Sequence, residues 1–366
     1  MDRLLCFAQF GIDKKGSVPV RLKYKSRSLT GTVSERWAMG FRISLIGCGG
    51  ISRVGHGPAL TRIASSDPEV ELAACCDIRE EQARSFADTF GFSSAYTDMD
   101  RMLDEVRPDA VLLAVPVPLT AELTIELLKK GIPVLLEKPP GLVPEETLRM
   151  CEAALHTNTP HQVAFNRRHM PVVTRFRELS AGTAFQTWEY FFYRTGKIDP
   201  HYETTAIHAI DTLRFLAGSD YKEIRFTYTE SGSDKKYVPA IWMECTFANQ
   251  TRGRITIQPA TGVSLERFVA HGVNELYMGA LPFYAGNGSA DGSGRIVHLK
   301  DQSRVLDEVM PEAAVDVLNG YYAEDLHFIR CIQEGIRPKD DLASTLQSME
   351  AASCIYKRAP YYCQSS

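Results

Sequence analysis

Phe41-Arg42-Ile43-Ser44-Leu45-Ile46-Gly47-Cys48-Gly49-Gly50-Ile51-Ser52 is the stretch that decides the fold. Ile43, Leu45 and Ile46 form a short apolar run that reads as a buried strand. Gly47, Gly49 and Gly50 follow at once, and a helix opens near Ile51. Strand, glycine turn and helix start together make a dinucleotide site. Gly47 permits the tight turn, and Gly49 lets the backbone approach a pyrophosphate. Gly50 and Ile51 lie where unpaired N–H groups meet the phosphate at a helix N-terminus. Ser52 takes the third fingerprint position, where Gly or Ala is usual, and is small enough for close helix–strand packing. Alone, the pattern also fits an ordinary strand and turn.

The chain downstream supplies what the fingerprint needs. Val70, Leu72, Ala74 and Cys76 alternate as a second strand that ends at Asp77. An acid at the tip of strand two binds the adenosine ribose of NAD. Asp77 also reads as the N-cap of a helix over 79–90. Arg79 beside it leaves NADP open, with NAD favoured. A first helix is expected over 51–65, irregular at Gly55, Gly57 and Pro58. Residues 110–115 are continuously apolar, as in a parallel strand covered on both faces. Pro116-Val117-Pro118 breaks that run, so Val115 and Pro116 lie at its carboxyl end. A helix over 120–130 leads to a strand over 132–136, which ends in Glu137-Lys138-Pro139-Pro140-Gly141. A helix over 144–155 and a strand over 162–165 complete an α/β unit at 39–165, a Rossmann-type doubly wound parallel sheet.

Residues 166–366 read as an α+β domain. After a helix over 203–217 come strand-like runs at 222–230, 236–248, 252–258, 265–271 and 295–300, the pattern of a large, mostly antiparallel sheet. Residues 282–294 read as a flexible loop, and helices over 318–334 and 341–357 close the chain. Residues 1–38 show no sustained period and no signal-peptide pattern. They are expected to be poorly ordered, with Met39 as the natural start. A net charge of −4 without a basic block argues against nucleic-acid or membrane partners. Nine scattered cysteines with no zinc spacing argue against a metal and suggest reduced thiols in the cytoplasm.

The glycine turn, Glu137-Lys138-Pro139, Asn166-Arg167-Arg168 and Ile207-His208-Ala-Ile-Asp211 through Gly218 together resemble the Gfo/Idh/MocA family over 41–358. The resemblance implies NAD(P)-dependent hydride transfer between the cofactor and a secondary alcohol or ketone of a sugar, polyol or derivative. It makes Lys138 the residue that bonds the substrate hydroxyl and nicotinamide ribose, across a Lys138–Pro139 bond that is commonly cis. It makes His208 the general acid/base, and Asp211, at i+3, shares its helix face and can orient the ring. Without the resemblance, His208 and Asp211 read as a structural pair. Arg167 is a candidate clamp for a substrate carboxylate or phosphate, with an interdomain ion pair as the alternative.

Three positions depart from the family pattern. Thr204 replaces an Asp four residues before the histidine; it can bond a substrate hydroxyl but cannot act as a base. Val117 and Thr120 replace an Asn and a His after strand four. These departures keep two other readings open: a glycoside-cleaving enzyme that retains NAD and oxidises transiently, and a non-catalytic cofactor sensor. A homodimer or homotetramer through the C-terminal sheet is expected, since such a sheet has one face to bury.

Overall fold

Strand β1 (Phe41–Ile46) sits at the centre of a six-stranded sheet, with every residue but Arg42 buried. It lies between β2 (Val70–Cys76) and β4 (Ala110–Leu113), parallel to both. With β3 (Ala95–Tyr96), β5 (Val134–Glu137) and β6 (His161–Ala164) the order is β3-β2-β1-β4-β5-β6, all parallel. Burial on both faces accounts for unbroken apolar runs such as Ala110-Val-Leu-Leu. The chain order reverses between β1 and β4. In such sheets the ligand crevice opens outside the carboxyl ends of those strands. The structure is a computed structural model that describes residues 40–196, 199, 201–229, 238–282 and 292–364. The leader and most of the expected 282–294 loop lie outside them.

Helices α1 (Gly57–Ser66), α2 (Glu80–Phe90), α3 (Met99–Val106), α4 (Val117–Lys129) and α5 (Pro144–Thr157) connect these strands. The irregular start expected for α1 is a π-helical turn, Ser52–His56. Its glycines serve close packing: a Cβ on Gly55 would stand 2.8 Å from the Tyr321 ring, and one on Gly57 2.9 Å from Phe90. The strand run ends before Pro116-Val117-Pro118 as expected, but α4 opens there, at Val117 rather than Thr120, because a proline in the first turn gives up no intrahelical hydrogen bond. The capping role expected of Asp77 is not observed. Arg79 is the N-cap of α2, and Asp77 Oδ1 accepts the Arg79 N–H at 3.0 Å.

The second sheet has nine strands: β7 (Thr187–Tyr193), β8 (Tyr221–Tyr228), β9 (Ile241–Phe247), β10 (Arg252–Gln258), β11 (Leu265–His271), β12 (Glu275–Leu281), β13 (Arg295–Lys300), β14 (Ser303–Val309) and β15 (Tyr361–Cys363). Among the described residues, only the neighbours β7 and β10 run parallel. The sequence reading missed β12, β14 and β15. In β12 the apolar alternation is interrupted by Gly279, where a side chain would enter the Phe268 ring. The edge strand β14 is mostly exposed and carries Asp307 and Glu308.

Helices α6 (Pro171–Leu179) and α7 (Glu203–Ala217) cover the sheet. After α8 (Val315–Leu318), the helix α9 (Tyr321–Glu334) returns to the first layer. Its Phe328, Ile329 and Ile332 share a core with Phe41, Ile43 and Leu45. Helix α10 (Leu342–Tyr356) packs between α5 and α7. Among the described residues no helix is long and apolar enough to cross a membrane.

Candidate active site

The glycine turn leaves β1 at the crevice. Gly47 has φ +96°, and a Cβ there would run into the backbone oxygen of Ala114. Its N–H donates to the Cys76 carbonyl at 2.8 Å, and the Ser52 hydroxyl donates to its carbonyl at 2.5 Å. The serine at the third fingerprint position therefore closes the turn from within. A Cβ on Gly49 or Gly50 would meet nothing within 4 Å, so the outer face of the turn is open to an incoming phosphate. Asp77 Oδ2 accepts the Cys48 N–H at 3.0 Å, which ties the tip of β2 to the turn. Arg79 is exposed, 3.5 Å from Asp77. Val115, Pro116 and Glu137 lie at the ends of β4 and β5. An open glycine loop beside a carboxylate fits a nicotinamide dinucleotide, which these residues would hold. Gly47→Ala is expected to cost about 1–3 kcal/mol for the positive φ, and more for the clash, in urea unfolding. Unchanged stability would contradict this account of the turn.

Beyond β5 the Lys138–Pro139 bond is cis. The Lys138 N–H donates to Glu137 Oε2 at 2.9 Å. Glu137 Oε1 lies 3.1 Å from His56 Nε2, and His56 Nδ1 lies 2.9 Å from Asp325 Oδ1. Burial of His56 opposes its charge, but the Asp325 and Glu137 carboxylates outweigh burial and raise its pKa well above the usual value. A buried imidazolium thus joins the glycine-turn helix, the Lys138 turn and α9. Neither His56 nor Asp325 was singled out from sequence. Neighbouring Glu324 has no hydrogen-bond partner for either oxygen. Burial, then the Asp325 charge, raise its pKa well above the usual carboxylate range.

From the other side α7 presents His208. Its Nδ1 lies 2.6 Å from an Arg167 terminal nitrogen. A guanidinium has only donors, so Nδ1 accepts and the ring proton sits on Nε2. Burial, then the charges of Arg167, Lys138 and Arg194, hold the His208 pKa well below 6.5. The ring is neutral at physiological pH.

Two expectations are corrected here. Asp211 does not orient His208; its carboxylate pairs with Arg168 at 2.8 and 2.6 Å and accepts the Ser348 hydroxyl. Three residues of helix are not enough when a buried guanidinium lies closer. Arg167 is not held ready as an anion clamp: Glu266 takes its Nε and one terminal nitrogen at 2.7 and 2.5 Å. Glu266 also accepts from Tyr190 at 2.7 Å and from Arg194. Burial opposes the Glu266 charge, but Arg167 and Arg194 prevail and bring its pKa down to about 2. Thr204 donates its hydroxyl to the His201 carbonyl at 2.8 Å.

Comparison with known proteins agrees with this architecture. Residues 41–165 match the family model described as an oxidoreductase family with an NAD-binding Rossmann fold. The chain is 34% identical over 113 residues to D-glucoside 3-dehydrogenase of Escherichia coli K12, covering 31% of each chain. It is 29% identical over 203 residues to inositol 2-dehydrogenase of Burkholderia ambifaria, covering 52% of this chain and 58% of that one. The matches thus span about a third to just over half of these relatives. A levoglucosan dehydrogenase solved with NADH superposes with a TM-score of 0.73 at 18% identity, covering 89% of this chain and 100% of that one, which is a likeness of fold. With a glycine turn, sheet order and crevice that fit the match, residues 41–165 form a Rossmann domain of the kind described by the Gfo/Idh/MocA oxidoreductase family model.

Proposed function

We propose that the protein is an NAD-dependent oxidoreductase that interconverts a secondary alcohol and a ketone on a sugar, polyol or sugar derivative. The observation that carries this reading is the open glycine turn with Asp77 tied beside it, at the carboxyl edge of the sheet where Lys138 follows β5. The bound nicotinamide would accept or supply the hydrogen and electron pair. The Lys138 ammonium and the His208 Nε2–H would both donate to the substrate oxygen, stabilising negative charge there. Because Arg167 occupies Nδ1 and Nε2 already bears a proton, His208 polarises the oxygen rather than taking its proton. In oxidation that proton passes to Lys138 in its neutral amine form, giving the ammonium, and in reduction the ammonium returns it; Thr204, which cannot ionise, adds no base. The Asp77 carboxylate beside the turn favours a free ribose hydroxyl, and hence NAD, over the 2′-phosphate of NADP. A homodimer or homotetramer through the nine-stranded sheet and a cytoplasmic location belong to the same reading; the described cysteines are all unpaired.

The test is purified protein with NAD and a panel of polyols, aldoses and glycosides. Reduced cofactor should accumulate with at least one of them. NAD should also raise the melting temperature, since a ligand of the native state stabilises it. A melting shift without turnover on any compound would favour the sensor reading. Glycoside cleavage without net reduced cofactor would favour transient oxidation. The tautomer assignment has its own check. Arg167→Met removes the cation at Nδ1, so the His208 pKa should rise toward 6.5 in an NMR titration. An unmoved titration would remove Arg167 from the account.

A further inference from the structure

We propose that His169, His327 and Asp340 form a binding site for a late first-row divalent cation, zinc foremost, which would clamp three separate segments of the chain. His169 ends the 3₁₀ turn Asn166–His169 after β6, His327 lies on α9, and Asp340 precedes α10. One ligand atom from each of the three lies within 4.8 Å of the others. Ligands about 2.0–2.2 Å from a tetrahedral zinc stand roughly 3.3–3.5 Å apart, so the three need to close by only about an ångström. Two imidazoles and a carboxylate are a donor set that zinc and its neighbours prefer over calcium or magnesium.

The surroundings supply what such a site needs. His327 Nδ1 lies 3.0 Å from Gln162 Oε1, and the Gln162 amide nitrogen donates to the Glu324 carbonyl at 3.4 Å. That second bond sets the amide orientation, so Gln162 presents an oxygen to the ring. His327 therefore carries its proton on Nδ1 and keeps a lone pair on Nε2, the second-sphere arrangement of a metal-binding histidine. Cys331, one helical turn further on, has its Sγ 3.6 Å from His327 Nε2 but lies outside the group of three, so the fourth position is left to water. Charge also permits a cation. Arg168 donates to Asp340 Oδ1 at 2.6 Å, yet it is already paired in two-pronged fashion with Asp211. The Asp340 charge is therefore not cancelled by Arg168, and its Oδ2 faces His169 Nε2 at 3.0 Å. On binding, the metal would displace the proton shared along that contact. His169, His327 and Asp340 lie on segments other than the glycine turn, the Lys138 turn and α7, so the site is distinct from the one proposed for the chemistry.

The test uses untagged full-length protein treated with EDTA and then titrated with Zn²⁺ or Co²⁺, with and without NAD. Zn²⁺ at micromolar concentration should raise the melting temperature by at least about 3 °C. Co²⁺ should give visible absorption bands that saturate at one equivalent and that Cys331→Ser leaves in place. His327→Gln and Asp340→Asn should abolish both responses, and circular dichroism without metal reports whether each variant is folded. If Asp340→Asn does not fold, His169→Gln gives the same reading from the third ligand. No saturable Co²⁺ spectrum in the wild type, or an equal zinc shift in folded His327→Gln, would overturn the site.

Discussion

Glu266→Gln is expected to destabilise the protein by about 3–5 kcal/mol in denaturant unfolding, the cost of leaving buried cations without their counter-charge. The substitution keeps shape and volume and removes only charge. Arg167 and Arg194 are both buried, and both direct N–H groups at this one carboxylate. The same interaction has a pH signature. The Glu266 pKa stands at about 2 in the fold against an ordinary 4.5, a depressed value. Its stabilisation is therefore complete above pH 4.5 and is lost as pH falls toward 2. The variant should lose that acid dependence. A variant as stable as wild type, with an unchanged acid limb, would show that Glu266 does not hold the two arginines.

Lys138→Ala is expected to lower kcat/KM by at least about 10³-fold, because it removes both an oxyanion donor and the proposed proton carrier. The melting shift induced by NAD should persist, since the glycine turn and Asp77 are untouched. The split matters because Glu137, the preceding residue, is tied to His56 and Asp325. A merely structural Lys138 would take cofactor binding down together with turnover. Activity within tenfold of wild type would place the chemistry elsewhere.

The first layer of the fold was readable because its strands are buried on both faces. Ala110-Val-Leu-Leu has no other use, and the Gly47 turn demands a conformation that few residues can take. Lys138 was legible for a related reason: it ends a buried strand, where open sheets place ligands. The polar web around His208 was harder to read, because its members come from distant parts of the chain. Arg167, Arg194 and Glu266 meet only when the sheet forms, and Asp211 looked like the partner of His208 because it is near in sequence.

One clue was present. In β11 the period of two puts Glu266 on the same face as Phe268 and Ala270, both buried. A carboxylate on an apolar face needs a counter-charge, which points to a buried arginine without saying which one. His56 carried a weaker signal. Only the π-helical turn, which brings the ring between Glu137 and Asp325, reveals its role.

The most direct measurement follows the hydrogen itself. A panel compound that reduces NAD would be prepared with deuterium at its carbinol carbon and incubated with the wild-type protein. The account predicts that deuterium appears in the reduced cofactor, that turnover slows with a primary isotope effect, and that Lys138→Ala forms almost none of the labelled product. Reduced cofactor free of deuterium, or substrate consumed with no reduced cofactor formed, would contradict it.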